Sequence, residues 1–130
     1  MLREYDFTII TRGDLGEGDN AKVLEGYESL MTKDGGEILK RDEWGGKRLA
    51  FPIKKLFRGN YVNYDFVGAP ENLAEMERLM RIDDNVLRYL VVRVDEGHEG
   101  TIDIEARKAE LAKQEQEARE REAEQRRRKE

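Results

Sequence analysis

The large apolar side chains of this chain stop almost entirely before Gly97; beyond it the sequence is Glu, Lys, Arg, Gln and Ala, with little besides Ile102, Ile104 and Leu111 to bury. A core forms only where apolar area can be withdrawn from water. The pattern therefore divides the chain into one domain over residues 1–97 and a charged tail over 98–130, either a solvated helix or disordered. A uniform mixture of 41% charged and 38% hydrophobic residues would bury little. The segregation is what allows a domain of this size to fold alone around a modest core.

Within the domain the hydrophobic period alternates between two and about 3.6. Tyr5-Asp6-Phe7-Thr8-Ile9-Ile10 predicts a first strand. Val23, Leu24, Tyr27, Leu30 and Met31 recur at helical spacing and predict a helix over 18–33, stopped by Asp34-Gly35-Gly36. A long second strand is predicted over 37–53, with Leu49, Phe51 and Ile53 on one face; Pro52 has no N–H to donate and puts its end at an edge or a bulge. After a basic loop over 54–59, a third strand over 60–66 alternates Val62, Tyr64 and Phe66 against Tyr61, Asn63 and Asp65. Pro70 opens a second helix, whose apolar face is Leu73, Met76, Leu79 and Met80. The fourth strand, over 86–94, is built on Tyr89-Leu90-Val91-Val92, with Leu90 expected in the core. The order β-α-β-β-α-β predicts an α+β, ferredoxin-like sandwich: a four-stranded antiparallel sheet with both helices on one face and the other face half open.

Charge separates along the chain as sharply as hydropathy does. Lys40 to Arg58 holds Lys40, Arg41, Lys47, Arg48, Lys54, Lys55 and Arg58 against Asp42 and Glu43, a net +5, so the rest carries −10 of the overall −5. A basic stripe on an acidic body suits a polyanionic partner. The plainer reading is a solvated hairpin whose lysines keep an edge strand from aggregating.

Other chemistries find little support. Without cysteine there is no disulfide and no thiolate metal site. The charged start, Met1-Leu2-Arg3-Glu4-Tyr5-Asp6, does not read as a signal peptide, and no apolar run approaches a membrane span, so a cytoplasmic protein is expected. Gly35-Gly36 and Gly45-Gly46 have no phosphate-loop spacing and read as turn and bulge glycines. Asp42-Glu43 and Asp83-Asp84 do not converge on a pocket, and the lone His98 reads as a surface residue. No catalytic residue, metal, cofactor or small-molecule substrate is expected. Arg58-Gly59-Asn60-Tyr61-Val62-Asn63-Tyr64 comes within one residue of an RNA-stacking strand motif, but only Tyr61 falls on the open face, so a paired aromatic platform is not expected. Trp44, among charges, fits either a partial core position or a partner anchor.

Four blocks together resemble a known family. Arg3-Glu4-Tyr5-Asp6 is similar to an Arg-x-Tyr-Glu start. Trp44-Gly45-Gly46-Lys47-Arg48-Leu49-Ala50-Phe51-Pro52-Ile53 and Arg81-Ile82-Asp83-Asp84-Asn85-Val86-Leu87-Arg88-Tyr89 are specific matches, with Gly59-x-Tyr61 between them. The blocks are similar to bacterial small-subunit ribosomal protein six, in order and spacing, from residue 1 to about residue 95. The resemblance implies a structural, non-enzymatic protein that binds the central domain of small-subunit ribosomal RNA as a heterodimer with ribosomal protein eighteen. Its implied RNA or partner contacts are Arg3, Tyr5, Lys47, Arg48, Lys54, Lys55, Arg81 and Arg88, to which the basic stripe adds Arg58. Leu2 and Glu4 depart from the family's more basic start, and the tail has no fixed counterpart. Two rival readings are weaker. A stand-alone single-stranded RNA-binding module would need stacked aromatics on the open face. An acylphosphatase-like enzyme would need an anion-binding loop where Thr11-Arg12-Gly13-Asp14 is acidic.

Overall fold

The computed structural model describes residues 1–53, 55–95 and 100–129; Lys54 and His98 lie outside them. The elements are β1 (Arg3–Arg12), α1 (Glu17–Met31), β2 (Glu37–Ile53), β3 (Leu56–Gly68), α2 (Pro70–Ile82), β4 (Val86–Arg93) and α3 (Ile104–Lys129). The sheet order is β2-β3-β1-β4 and every pairing is antiparallel, the split β-α-β arrangement that the sequence predicts.

Alternation on β1 and β3 builds the core. Tyr5, Phe7 and Ile9 pair across the ladder with Phe66, Tyr64 and Val62, and all six are buried beneath α1 and α2. Phe7 stacks on Tyr64 at 5.8 Å between ring centroids and meets Phe66 edge-on at 6.3 Å. Aromatic pairs of this kind add about 0.5–1.5 kcal/mol beyond their buried area. Leu24, Tyr27 and Met31 of α1 and Met76 and Met80 of α2 close the layer. Polar ties fix the helix ends. The Tyr27 hydroxyl donates to Asp83 Oδ2 at 2.6 Å, and the Asn72 amide donates to the Lys33 carbonyl at 3.3 Å. Asp83 Oδ1 also accepts the Asn85 N–H at 2.9 Å, so the acidic pair at 83–84 opens a turn.

β4 corrects one expectation. Tyr89 and Val91 pair with Ile9 and Phe7 and share their core face, whereas Leu90 pairs with Thr8 on the opposite face and is 64% exposed. A run of four apolar residues has no alternation of its own, so its register with β1 decides which face is buried.

The open face is also less open than expected, because α3 begins on it. The Ile102 N–H donates to the Leu2 carbonyl at 3.1 Å, and the Ile102 side chain is buried. Arg107 holds Glu4 with two hydrogen bonds, 2.6 Å to Oε1 and 3.1 Å to Oε2, and Lys108 pairs with Glu37. The helix thus crosses from β1 toward the β2 edge, where Leu111 and Ala118 lie near Leu39 and Lys40. No helix among the described residues is long and apolar enough to cross a membrane.

Candidate nucleic-acid interface

The distal half of the β2–β3 hairpin runs past the core, and its sequence is rich in cations. Lys47 lies opposite Gly59, Arg48 opposite Arg58, and Ile53 opposite Leu56, with Lys55 at the turn in a left-handed conformation (φ 65°). Lys47, Arg48, Lys55 and Arg58 are exposed, and none forms an ion pair among the described residues. Like charges directly opposite each other on a ladder are destabilising, so Arg48 against Arg58 is a local cost that no ion pair among the described residues offsets. Arg41, in the same stripe, is different. It pairs with Glu28 at 3.4 Å and Glu43 at 2.9 Å, and it reaches the Tyr64 hydroxyl at 3.4 Å. Burial foremost pushes the Tyr64 hydroxyl up to about 12, with the Arg41 guanidinium opposing the shift.

Packing carries the basic region round to β4. A Cβ on Gly59 would lie 2.5 Å from Ile10 Cγ2 and 3.3 Å from Leu49 Cδ2, so only glycine lets Leu49 close over this point. Beyond Leu49, Phe51 lies under Arg88 of β4, whose guanidinium is 4.9 Å from the ring centroid. Leu90 and Val92, both exposed, continue the same face. The result is an apolar strip with Arg88 over Phe51, a form suited to a partner that is part apolar and part anionic.

The other expected contacts fall elsewhere. Arg81, at the end of α2, lies beside Arg88 around one depression and is 3.6 Å from Glu77. Arg3 is at the opposite end of β1 from the hairpin tip. Its guanidinium donates to the Gly100 carbonyl at 2.7 Å and lies 3.6 Å from Asp95, which braces the chain after β4. Tyr5 is buried against Phe66, at 5.4 Å between ring centroids, and burial raises its hydroxyl's pKa, so its ring is part of the core packing. Lys54 lies outside the described residues.

Two features escaped the sequence reading. Trp44 stacks on Tyr61 at 6.3 Å and 22° across a bulge in β2, with Lys47 Nζ 5.5 Å above the indole. At the other end of the open face, Glu4 and Asp65 form a carboxylate pair with Arg107 as its cation. Burial first, then Glu4, pushes the Asp65 carboxyl up to about 7, with Arg107 acting against the shift.

The architecture is a ferredoxin-like sheet whose hairpin projects exposed cations with no ion-pair partner among the described residues, a charge distribution that suits a polyanionic partner. The family model described as ribosomal protein S6 matches residues 4–93. The small ribosomal subunit protein bS6 of Caldanaerobacter subterraneus subsp. tengcongensis is 40% identical over 95 residues, covering 73% of this chain and all of that protein. The bS6 protein of Moorella thermoacetica is 37% identical over 95 residues, covering 73% of this chain and 97% of its own. A crystal structure of ribosomal protein S6 from Thermotoga maritima shares the fold, with a TM-score of 0.66 at 22% identity, covering 92% of this chain and 99% of that one. This chain belongs to the ribosomal protein S6 family.

Proposed function

We propose that the chain is a structural constituent of the small ribosomal subunit, that it binds the central domain of the subunit's RNA as a heterodimer with ribosomal protein eighteen, and that it acts in subunit assembly and translation in the cytoplasm. Family membership supports the ribosomal assignment. The observation that carries the mode of binding is the unpaired cation set at the hairpin, above all Arg48 directly opposite Arg58. Phosphate oxygens between two such guanidiniums relieve their repulsion, and each contact releases condensed counterions. The apolar strip of Phe51, Leu90 and Val92 beside Arg88 is the surface for the protein partner.

The test is salt-dependent binding of a central-domain transcript by the heterodimer. Replacing Lys47→Glu and Arg48→Glu should weaken binding and flatten the plot of log affinity against log salt by roughly one unit per lost contact. An unchanged slope would remove the hairpin from the interface.

A further inference from the structure

Trp44 is the chain's one tryptophan and is 44% exposed on a strand of charged residues. An exposed indole on a hairpin gains little from folding, yet this one is fixed from three sides. Its Nε1 donates to Asp42 Oδ2 at 3.1 Å. Its ring lies nearly parallel to Tyr61, the open-face tyrosine of β3. Lys47 Nζ sits 5.5 Å above it. The bulge between Glu43 and Gly45 makes this possible. Gly45, at φ 77°, takes a conformation that a side-chain-bearing residue rarely adopts, and the extra residue brings Trp44 alongside Tyr61. Gly45 and Gly46 then leave the backbone next to the indole bare, and a Cβ at Gly45 would meet nothing within 4 Å.

A flat aromatic fixed by its neighbours, partly open to solvent and with an ammonium over its face, is what an unpaired nucleobase can stack on. We propose that Trp44 and Tyr61 form a stacking platform for one unpaired nucleotide of RNA, with Lys47 supplying the contact to its phosphate. The proposal rests on the RNA-binding reading above and adds a site to it. The base takes the place of the Lys47 ammonium against the indole, and the ammonium turns to the phosphate of the same nucleotide. Asp42 accepts from the indole N–H and Glu43 pairs with Arg41, so both nearby carboxylates already have partners within the hairpin. Stacking accepts any base, so the platform anchors a strand without reading its sequence.

The single tryptophan makes the test direct. Titration of the full chain with single-stranded decauridylate, exciting Trp44, is expected to quench its emission. A fully paired RNA duplex of the same length should leave the emission unchanged. Trp44→Leu should weaken decauridylate binding by roughly five- to a hundredfold, and Trp44→Phe should recover most of that loss. Two results would overturn the platform: emission unchanged while filter binding shows the oligonucleotide retained, or Trp44→Leu binding as tightly as the parent. Either result leaves the hairpin's phosphate contacts standing. Failure of the parent chain to enter small subunits, with quenching intact, would overturn the ribosomal reading and keep the platform.

Discussion

Arg107→Ala tests whether α3 is part of the domain. The Glu4 side chain is 3% exposed on the sheet's outer face, and Arg107 is its ion-pair partner, with a bidentate contact. Were α3 to stay in place without the guanidinium, an unpaired buried carboxylate would cost about 3–5 kcal/mol. The domain has a second course, in which the start of α3 lifts and Glu4 is hydrated. The cost is then the loss of docking: burial of Ile102, about 1.5–3 kcal/mol for a side chain of that size, and the exposed Lys108–Glu37 pair, under about 1 kcal/mol. The cheaper course governs, so the variant should lose about 2–3 kcal/mol, and truncation after Asp95 should lose a similar amount. At about 4–8 °C per kcal/mol for a domain this small, the melting temperature should fall by roughly 10 °C or more. Thermal unfolding followed by circular dichroism reads both. Glu4→Gln combined with Arg107→Ala should recover part of the loss, because an amide needs no countercharge. A shift below about 2 °C for both Arg107→Ala and the truncation would refute this reasoning and return α3 to the status of a detached tail.

Three further outcomes follow from the packing and charge. Asp65 holds a proton in the folded chain up to about pH 7 that the unfolded chain releases near its ordinary 3.8, so its stabilising effect is complete below that lower value and is lost as pH rises through about 7. The melting temperature of the parent should therefore drop between pH 6 and 8 more than that of Asp65→Asn. Phe7→Ala, at a fully buried position in the aromatic cluster, should cost about 3–5 kcal/mol in urea unfolding, against under about 0.5 kcal/mol for the exposed Leu90→Ala. Arg58→Glu turns the repulsive pair with Arg48 into an attractive one and should stabilise the free domain by roughly 0.2–1 kcal/mol while weakening its hold on RNA in filter binding.

What the sequence discloses depends on how local the determinant is. The strands with clean alternation, β1 and the core half of β3, and the helices with spaced apolar residues are legible because period alone assigns their faces. Leu90 is not, since the run Tyr89–Val92 is apolar throughout and only pairing with Phe7 and Ile9 selects a face. The cation set is visible as a charge count over Lys40–Arg58. The opposition of Arg48 and Arg58, and the absorption of Arg41 by Glu28 and Glu43, need the hairpin register. Trp44 meets Tyr61 through a bulge that Gly45-Gly46 only hints at. Arg107 reaches Glu4 across a separation of 103 residues that no local pattern reports. Tyr5 sits in a contact motif by resemblance, but β1 alternation puts it on the core face with Phe7 and Ile9.

The central claim, that the hairpin cations hold ribosomal RNA, is tested most directly by competition for incorporation. Small subunits reconstituted with equal amounts of the parent chain and the chain carrying Lys47→Glu and Arg48→Glu should contain mainly the parent after sedimentation, with the margin narrowing as salt rises. Both substitutions are at exposed hairpin positions, so the two chains should melt within about 0.5 kcal/mol of each other. Equal incorporation of two equally stable chains would contradict the account.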